Sequence, residues 1–408
     1  MVLPTLKTLS GFLRHPRWRW TLAWATAWPQ NHRAQSGGFH LVLPSTGGGN
    51  IGDTALLESS LEHTPRPLVV MVRTMEDYPG LGESDASISV VPLPGLVYGG
   101  FSAFFRDCRR YLRLLDRACT FTVIGADVMD GAYNWKASVH RSYAAVAAAR
   151  RGVASRVLGF SWNRRPNLHA RQALARAGDA GVELYARDPQ SFARLQRDGI
   201  NGVRLAADTV FLLPGSEPVQ DEALVGVISA ADRLVLVNAS AMLHHNDRDY
   251  ECTCHLLRDI LDRGFTVLLT PHVSRPTGDD IATCQRLADR VSHPRLIVIR
   301  ELLKPTQIRF LAEQAEFVFT GRMHLAILAL ASGTPVIAVD SQDKVAGLGE
   351  MFGAGCVVVQ ADASLRATVL EAIADFDGQA DELAGLVCAR LDDVRERARL
   401  NFSGFIDG

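Results

Sequence analysis

A glycine-rich segment, Ser45-Thr46-Gly47-Gly48-Gly49-Asn50-Ile51-Gly52-Asp53, lies between an apolar run and a helix-like stretch that begins at Thr54. Glycines placed there let backbone N–H groups approach an anion, and the helix dipole adds to the attraction. Gly47-x-Gly49-x-x-Gly52 matches the dinucleotide fingerprint letter for letter. The next strand, however, ends in Arg73 rather than in the acid that would hold the ribose of NAD; only NADP tolerates that ending. No Lys-Ser/Thr pair follows the glycines, so the segment is not a Walker A loop. Asp53 would make a good N-cap, and a plain turn is the alternative to a ligand loop.

Two other clusters invite a metal. Cys252-x-Cys254-His255, with Cys284 downstream, lacks the C-x₂₋₄-C spacing of zinc sites, and no second pair follows. It reads as an ordinary helical segment. His244-His245-Asn246 has no evident third ligand and reads as a loop. No metal and no redox cofactor are expected. The N-terminal stretch 12–33 sets Phe12, Trp18, Trp20, Trp24 and Trp28 among Arg14, His15, Arg17, Arg19 and Arg33. Such a stretch either lies at an anionic membrane interface or packs its aromatics on the body of the protein or on a second subunit. Peripheral membrane contact and homo-oligomerisation therefore both stay open.

The elements that must position these residues alternate. Strand-like apolar runs cover Phe39–Pro44, Leu68–Val72, Ile88–Leu93, Phe121–Ile124 and Arg156–Phe160, with helical stretches such as Ala103–Leu115 and His140–Arg151 between them. Leu212–Gln220 holds two prolines and a glycine and reads as a linker. The alternation then restarts with Leu234–Asn238, Phe265–Leu269, Leu296–Ile299, Phe317–Phe319, Pro335–Val339 and Cys356–Val359. Strands alternating with helices mean βαβ units and mostly parallel sheets. The expected domains are an arm over 1–35, an α/β domain over 36–215, a second over 222–378 and a helical tail over 379–408.

The 408 residues suit two such domains. With 43 basic against 44 acidic residues, the chain lacks the basic excess of a general nucleic-acid binder. Only four cations are lysines, which singles out Lys344. Seven irregularly spaced cysteines suit a reducing compartment. No stretch reaches the ~18 apolar residues of a bilayer span, and no signal-peptide pattern is evident, so a cytoplasmic protein is expected.

Several segments, in order, resemble the polysaccharide pyruvyl transferase family. They are Gly49-Asn50-Ile51-Gly52-Asp53; Gly125-Ala126-Asp127 with Asp130-Gly131 and Tyr133; Gly159-Phe160-Ser161-Trp162-Asn163; Ala186-Arg187-Asp188-Pro189-Gln190-Ser191; Ala207-Asp208-Thr209-Val210-Phe211; Gly321-Arg322-Met323-His324-Leu325-Ala326; and Pro335-Val336-Ile337-Ala338-Val339-Asp340 with Lys344. The matches span residues 38–355 and leave out the arm and the tail. The resemblance implies two Rossmann-like domains of GT-B type with the site in the interdomain cleft. The first domain would face the acceptor and the second the donor. It implies phosphoenolpyruvate as donor, no further cofactor, and a sugar of a cell-surface polysaccharide or its lipid-linked precursor as acceptor.

The donor carries a phosphate and a carboxylate, which arginine fits in bidentate fashion. The resemblance puts Arg187, Arg322, Lys344, Gly49, Asn50 and Gly52 on the donor. It makes His324 an anion contact or general acid, Asp127 or Asp130 a base, and Asp53 and Asn163 acceptor contacts. Each has a plainer alternative: a helix-start histidine, an Arg187–Asp188 ion pair, a solvated Lys344, turn aspartates, a capping asparagine. Two enzymes of other kinds fit the same fold, a GT-B glycosyltransferase using a nucleotide sugar and an NADP-dependent oxidoreductase. A non-catalytic protein docked at a membrane through its arm is the remaining alternative.

Overall fold

A computed structural model describes residues 15–26, 38–83, 85–276, 278–340 and 343–404. The chain divides into two compact units. The first comprises residues 1–48, 60–208 and 400–408; the second comprises 49–59 and 209–399.

The first unit holds a seven-stranded parallel sheet. Its strands are β1 (Phe39–Leu43), β2 (Leu68–Val72), β3 (Ile88–Pro92), β4 (Ala118–Ala126), β5 (Ala154–Phe160), β6 (Glu183–Ala186) and β7 (Val203–Leu205), in the order β3-β2-β1-β4-β5-β6-β7. Helices cover both faces, so β2 reads as an unbroken apolar run, LVVMV, with every residue buried. The helix Trp135–Arg150 is buried along most of its length, and its alanines permit that close packing.

The second unit repeats the doubly wound plan with six strands. They are β8 (Leu234–Asn238), β9 (Thr266–Leu269), β12 (Leu296–Val298), β13 (Phe317–Thr320), β14 (Val336–Asp340) and β15 (Cys356–Gln360), in the order β12-β9-β8-β13-β14-β15. A two-residue-per-strand hairpin, β10 (Ser274–Arg275) and β11 (Gly278–Asp279), interrupts the link from β9 to the helix Asp280–Val291. In both sheets strand order reverses beside the first strand, which is where open α/β sheets hold ligands.

The observed division departs from the expected boundaries at several places: the chain passes from the first unit to the second between Asp208 and Thr209, ahead of the expected linker over Leu212–Gln220. The helix Ile51–Glu62 follows β1, yet its residues up to Ser59 belong to the second unit. The long helix Ala380–Arg399 buries Leu383, Val387, Leu391, Val394 and Ala398 at helical spacing within the second unit, but the chain end returns to the first. There Asn401 is fully buried: its Oδ1 accepts from Gly159 N at 2.8 Å and its Nδ2 donates to the Ala207 carbonyl at 2.9 Å. The Asn401 carbonyl accepts from the buried Arg156 at 3.0 Å.

The described part of the arm is a helix, Pro16–Thr26, that packs on the first unit. Trp20 is fully buried, meets Phe104 edge to face, and donates its Nε1–H to His140 Nδ1 at 3.0 Å. Arg150 lies over the Trp24 ring, and Arg19 donates to the Gly99 carbonyl. Of the two readings of the arm, packing on the protein body therefore accounts for Trp20 and Trp24. Phe12, Arg14, Trp28 and Arg33 lie outside the described residues. Among the described residues no helix is long and apolar enough to cross a membrane.

Candidate active site

The glycine loop does not act as an isolated phosphate cradle. It is stitched to the loop after β9. Asn50 forms a bridge with Val273, Ser274 N donates to the Gly49 carbonyl at 2.8 Å, and Ile51 N donates to the His272 carbonyl at 3.1 Å. Gly49 has φ of +75°, and a Cβ there would lie 2.1 Å from the Ser274 carbonyl oxygen, so only glycine fits. Asn50 Oδ1 accepts from Gly52 N at 2.9 Å and caps the following helix. Its Nδ2 donates to Asp53, and Asp53 also pairs with Arg275 at 2.8 Å. The structure thus places Asn50 and Asp53 where they hold this loop.

Gly52 lies directly against His324. A Cβ on Gly52 would sit 2.5–2.7 Å from the Nδ1, Cγ and Cβ atoms of that histidine. His324 is on the first turn of the helix Met323–Ala331, which follows β13, and it is half-buried. The preceding Arg322 stands at the N-cap. Its Nη2 and Nε grip Asp280 in a two-point bond at 2.6 and 3.1 Å. Arg322 N donates to Thr320 Oγ1 at 2.9 Å.

Asp280 is a residue that motif reading missed. Its carboxylate is fully buried. Besides Arg322 it accepts from the backbone N–H groups of Ala241, His272 and Val273 at 2.8–3.2 Å. Those groups follow β8 and β9, while Arg322 follows β13, and these are adjacent strands. One carboxylate therefore sets the loops at three neighbouring strand ends. Fixed in this way, Arg322 needs no reorganisation to meet an anion.

His272 was also missed. It is 2% exposed, and among the described residues neither ring nitrogen has a hydrogen-bond partner. Burial, then the neighbouring charges of His324 and Arg322, hold its pKa well below the ordinary 6.5. A lone histidine just past an apolar strand was the available signal, the same that marks Arg187.

His140 is pushed down to about 3, chiefly by burial. Both histidines are neutral when folded but take up protons near 6.5 when unfolded, so their contribution is complete above pH 6.5 and is lost as pH falls below it. Each loses about 1.4 kcal/mol per pH unit once well into that window. Urea unfolding midpoints should therefore drop from pH 7.5 to pH 5; equal midpoints would contradict the assignment.

In the first unit, Ala126, Phe160 and Ala186 are in register across β4, β5 and β6. Asp127, Ser161 and Arg187 follow them at one level beyond the carboxyl ends. Arg187 is 1% exposed, pairs with the equally buried Asp208 at 3.1 Å and donates to Ser161 Oγ at 3.1 Å. The Asp188 carboxylate instead caps its own helix through Ser191 N, so Arg187 does not pair with its sequence neighbour. Asp127 is half-buried and follows Ala126, whose φ of +47° marks a strained turn. Asp130 is fully buried and accepts from Ala132 N at 2.9 Å. Asn163 is half-buried at the end of β5.

Lys344, in the second unit, is 8% exposed; its backbone N–H donates to Asp340 Oδ1 at 3.2 Å. Cys252, Cys254 and His255 lie on one helix, Asp247–Asp262. His244 bonds the Ser240 carbonyl and Thr253 through its two ring nitrogens. Among the described residues no three His, Cys, Asp or Glu side chains are grouped to hold a metal. The second unit thus gathers Gly49, Asn50, Gly52, Asp53, Arg322 and His324. The first gathers Asp127, Asn163 and Arg187.

Two doubly wound parallel domains with cations and a histidine beyond their strand ends define a GT-B-like transferase fold. A sucrose-phosphate synthase from Thermosynechococcus elongatus has a TM-score of 0.59 at 15% identity, covering 90% of this chain and 98% of its own. A UDP-GlcNAc 2-epimerase from Neisseria meningitidis, solved with UDP-GlcNAc bound, has a TM-score of 0.57 at 9% identity, covering 91% and 100%. A UDP-GlcNAc 2-epimerase from Methanocaldococcus jannaschii has 0.55 at 12%, covering 82% and 91%. At such identities the likeness shows the fold alone. The family model for polysaccharide pyruvyl transferase matches residues 82–343, well over half of the chain. The chain belongs to that family and is an enzyme of that kind. No curated protein matches it.

Proposed function

We propose that this enzyme transfers the pyruvyl group of phosphoenolpyruvate onto two hydroxyls of one sugar in a cell-surface polysaccharide or its lipid-linked precursor. The observation that carries the reading is Arg322, locked by Asp280 at a helix N-terminus with His324 two residues further on. That arrangement suits a small polyanion. Arg187 and Lys344 are the further cations assigned to the donor.

The chemistry follows from the donor. His324 gives a proton to the methylene carbon, and positive charge develops on the neighbouring carbon. A sugar hydroxyl attacks that carbon while Asp127 takes its proton, with Asp130, buried beside it in sequence, as the alternative base. Inorganic phosphate leaves with the electrons of its C–O bond. The second hydroxyl then closes the ketal and loses its proton. Arg322 balances the carboxylate and the departing phosphate. Asn163 orients the acceptor.

The test is direct. The purified enzyme is incubated with phosphoenolpyruvate and a panel of glycans, and released phosphate is measured with acceptor mass. Expected is phosphate release matched one for one by acceptor gaining a ketal-linked pyruvyl group. Turnover of a nucleotide sugar with no phosphoenolpyruvate consumption would replace this reading with the glycosyltransferase one.

A further inference from the structure

The first unit holds a concave feature that the donor chemistry does not use. Beyond the carboxyl ends of β1, β2 and β3 lies a small open cleft. Ser45, Thr46, Arg73, Leu93, Tyr98 and Arg141 are among its lining residues. Arg141 comes from the middle of the helix Trp135–Arg150 and is 1% exposed. Its Nη2 donates to Tyr98 Oη at 2.9 Å. Among the described residues its Nε and Nη1 have no hydrogen-bond partner, and no carboxylate pairs with it. The other cation of the cleft, Arg73, is already matched by Asp77 at 2.7 Å.

A buried guanidinium with no counter-charge is costly, because it gives up hydration and gains no Coulomb partner. A methionine or leucine would fill the same helix position at no such cost. Two other buried arginines of the first unit have partners for their charge: Arg187 has Asp208, and Arg156 has Glu183. The cleft also lies where parallel sheets receive ligands. Tyr98 holds the guanidinium from one side, and hydroxyl residues stand on the loop after β1.

We propose that this cleft is an oxyanion subsite that receives an acidic group of the acceptor, either a sugar phosphate or a uronate carboxylate. The anion supplies the charge that Arg141 lacks. The identity of the acceptor rests on the pyruvyl transferase reading; oxyanion binding at Arg141 does not.

Calorimetry on the full chain separates the arms. The probes are glucose 1-phosphate, glucuronate, neutral glucose and phosphoenolpyruvate, titrated into the wild type and Arg141→Met. At least one acidic sugar should bind the wild type tenfold or more tighter than glucose, and which one does names the anion. Arg141→Met should erase that preference, keep phosphoenolpyruvate affinity within twofold, and melt no lower than the wild type. Equal binding of all three sugars by the wild type overturns the proposal. So does an unchanged acidic-sugar affinity in Arg141→Met. A parallel loss of phosphoenolpyruvate binding also overturns it, since the cleft would then belong to the donor. If Arg141→Met does not fold, Tyr98→Phe removes only the hydroxyl that aims the guanidinium. A threefold or larger weakening then supports the subsite, and none overturns it. Loss of pyruvyl transfer with every glycan, alongside intact anion binding at Arg141, would fell the catalytic reading and leave this site standing.

Discussion

Arg322→Ala should lose pyruvyl transfer by about 10³-fold and destabilise the second unit at the same time. The rate effect follows from removing a pre-oriented cation from developing negative charge, where single donors are worth about 10²–10³-fold. The stability effect has a separate source. Asp280 is fully buried and would keep its charge while losing its only charged partner among the described residues. Breaking a buried pair in this way costs about 3–5 kcal/mol. The lower end is expected here, because three backbone N–H groups still serve the carboxylate. The two effects can be parted. Arg322→Ala combined with Asp280→Asn removes the stranded charge but turns one acceptor into a donor facing backbone N–H, so stability should return in part while transfer stays lost. Arg322→Lys keeps the positive charge but not the two-point grip, and should restore stability more than rate. If Arg322→Ala transfers pyruvate within threefold of the wild type, Arg322 is only a strut for Asp280.

How far such a site could be read without coordinates depends on where its partners lie along the chain. Arg187 and Arg322 were legible through the family resemblance, and each also follows an apolar run that ends a buried parallel strand. β2 and β8 were bounded correctly for the same reason: LVVMV and LVLVN are buried at every position. β7 was not, since it has three residues and none is fully buried. Asp280 and His272 looked like ordinary loop and helix-start residues. The meaning of Asp280 comes from contacts with Ala241 and Arg322, about forty residues away, and that of His272 from its burial beside the charges of His324 and Arg322. The role of Asp53 depends on Arg275, 222 positions along the chain. The helix after β1 was read as a helix from its pattern. Nothing in Ala55, Leu56 and Leu57, all buried, says which of two similar cores they enter. Local pattern specifies an element; only long-range packing assigns it to a unit.

His324→Ala should lower kcat by about 10²–10⁴-fold, the range for a positioned acid–base group, while the fold persists. The ring is half-buried, so its removal opens little of the core. His324→Gln discriminates between the two roles assigned to it. An amide can still donate a hydrogen bond to an anion but cannot deliver a proton to carbon. Recovery of phosphoenolpyruvate KM without recovery of kcat would mark His324 as the acid; recovery of both would mark it as an anion contact. Gly52→Ala tests the same histidine from outside. The new methyl would stand 2.5–2.7 Å from three His324 atoms, so the imidazole must move or the helix must yield. Overpacking of that kind costs about 1–3 kcal/mol. A displacement of about 1 Å at a reacting group costs on the order of 10²-fold in rate. Gly52→Ala should therefore approach the rate of His324→Ala without removing any polar atom. Adding His324→Ala to Gly52→Ala removes the two ring atoms from the clash but keeps the Cβ at 2.7 Å, so stability should return only in part and transfer should stay lost. Wild-type activity in Gly52→Ala would mean that the orientation of His324 does not matter to the reaction, and that the proton comes from another group.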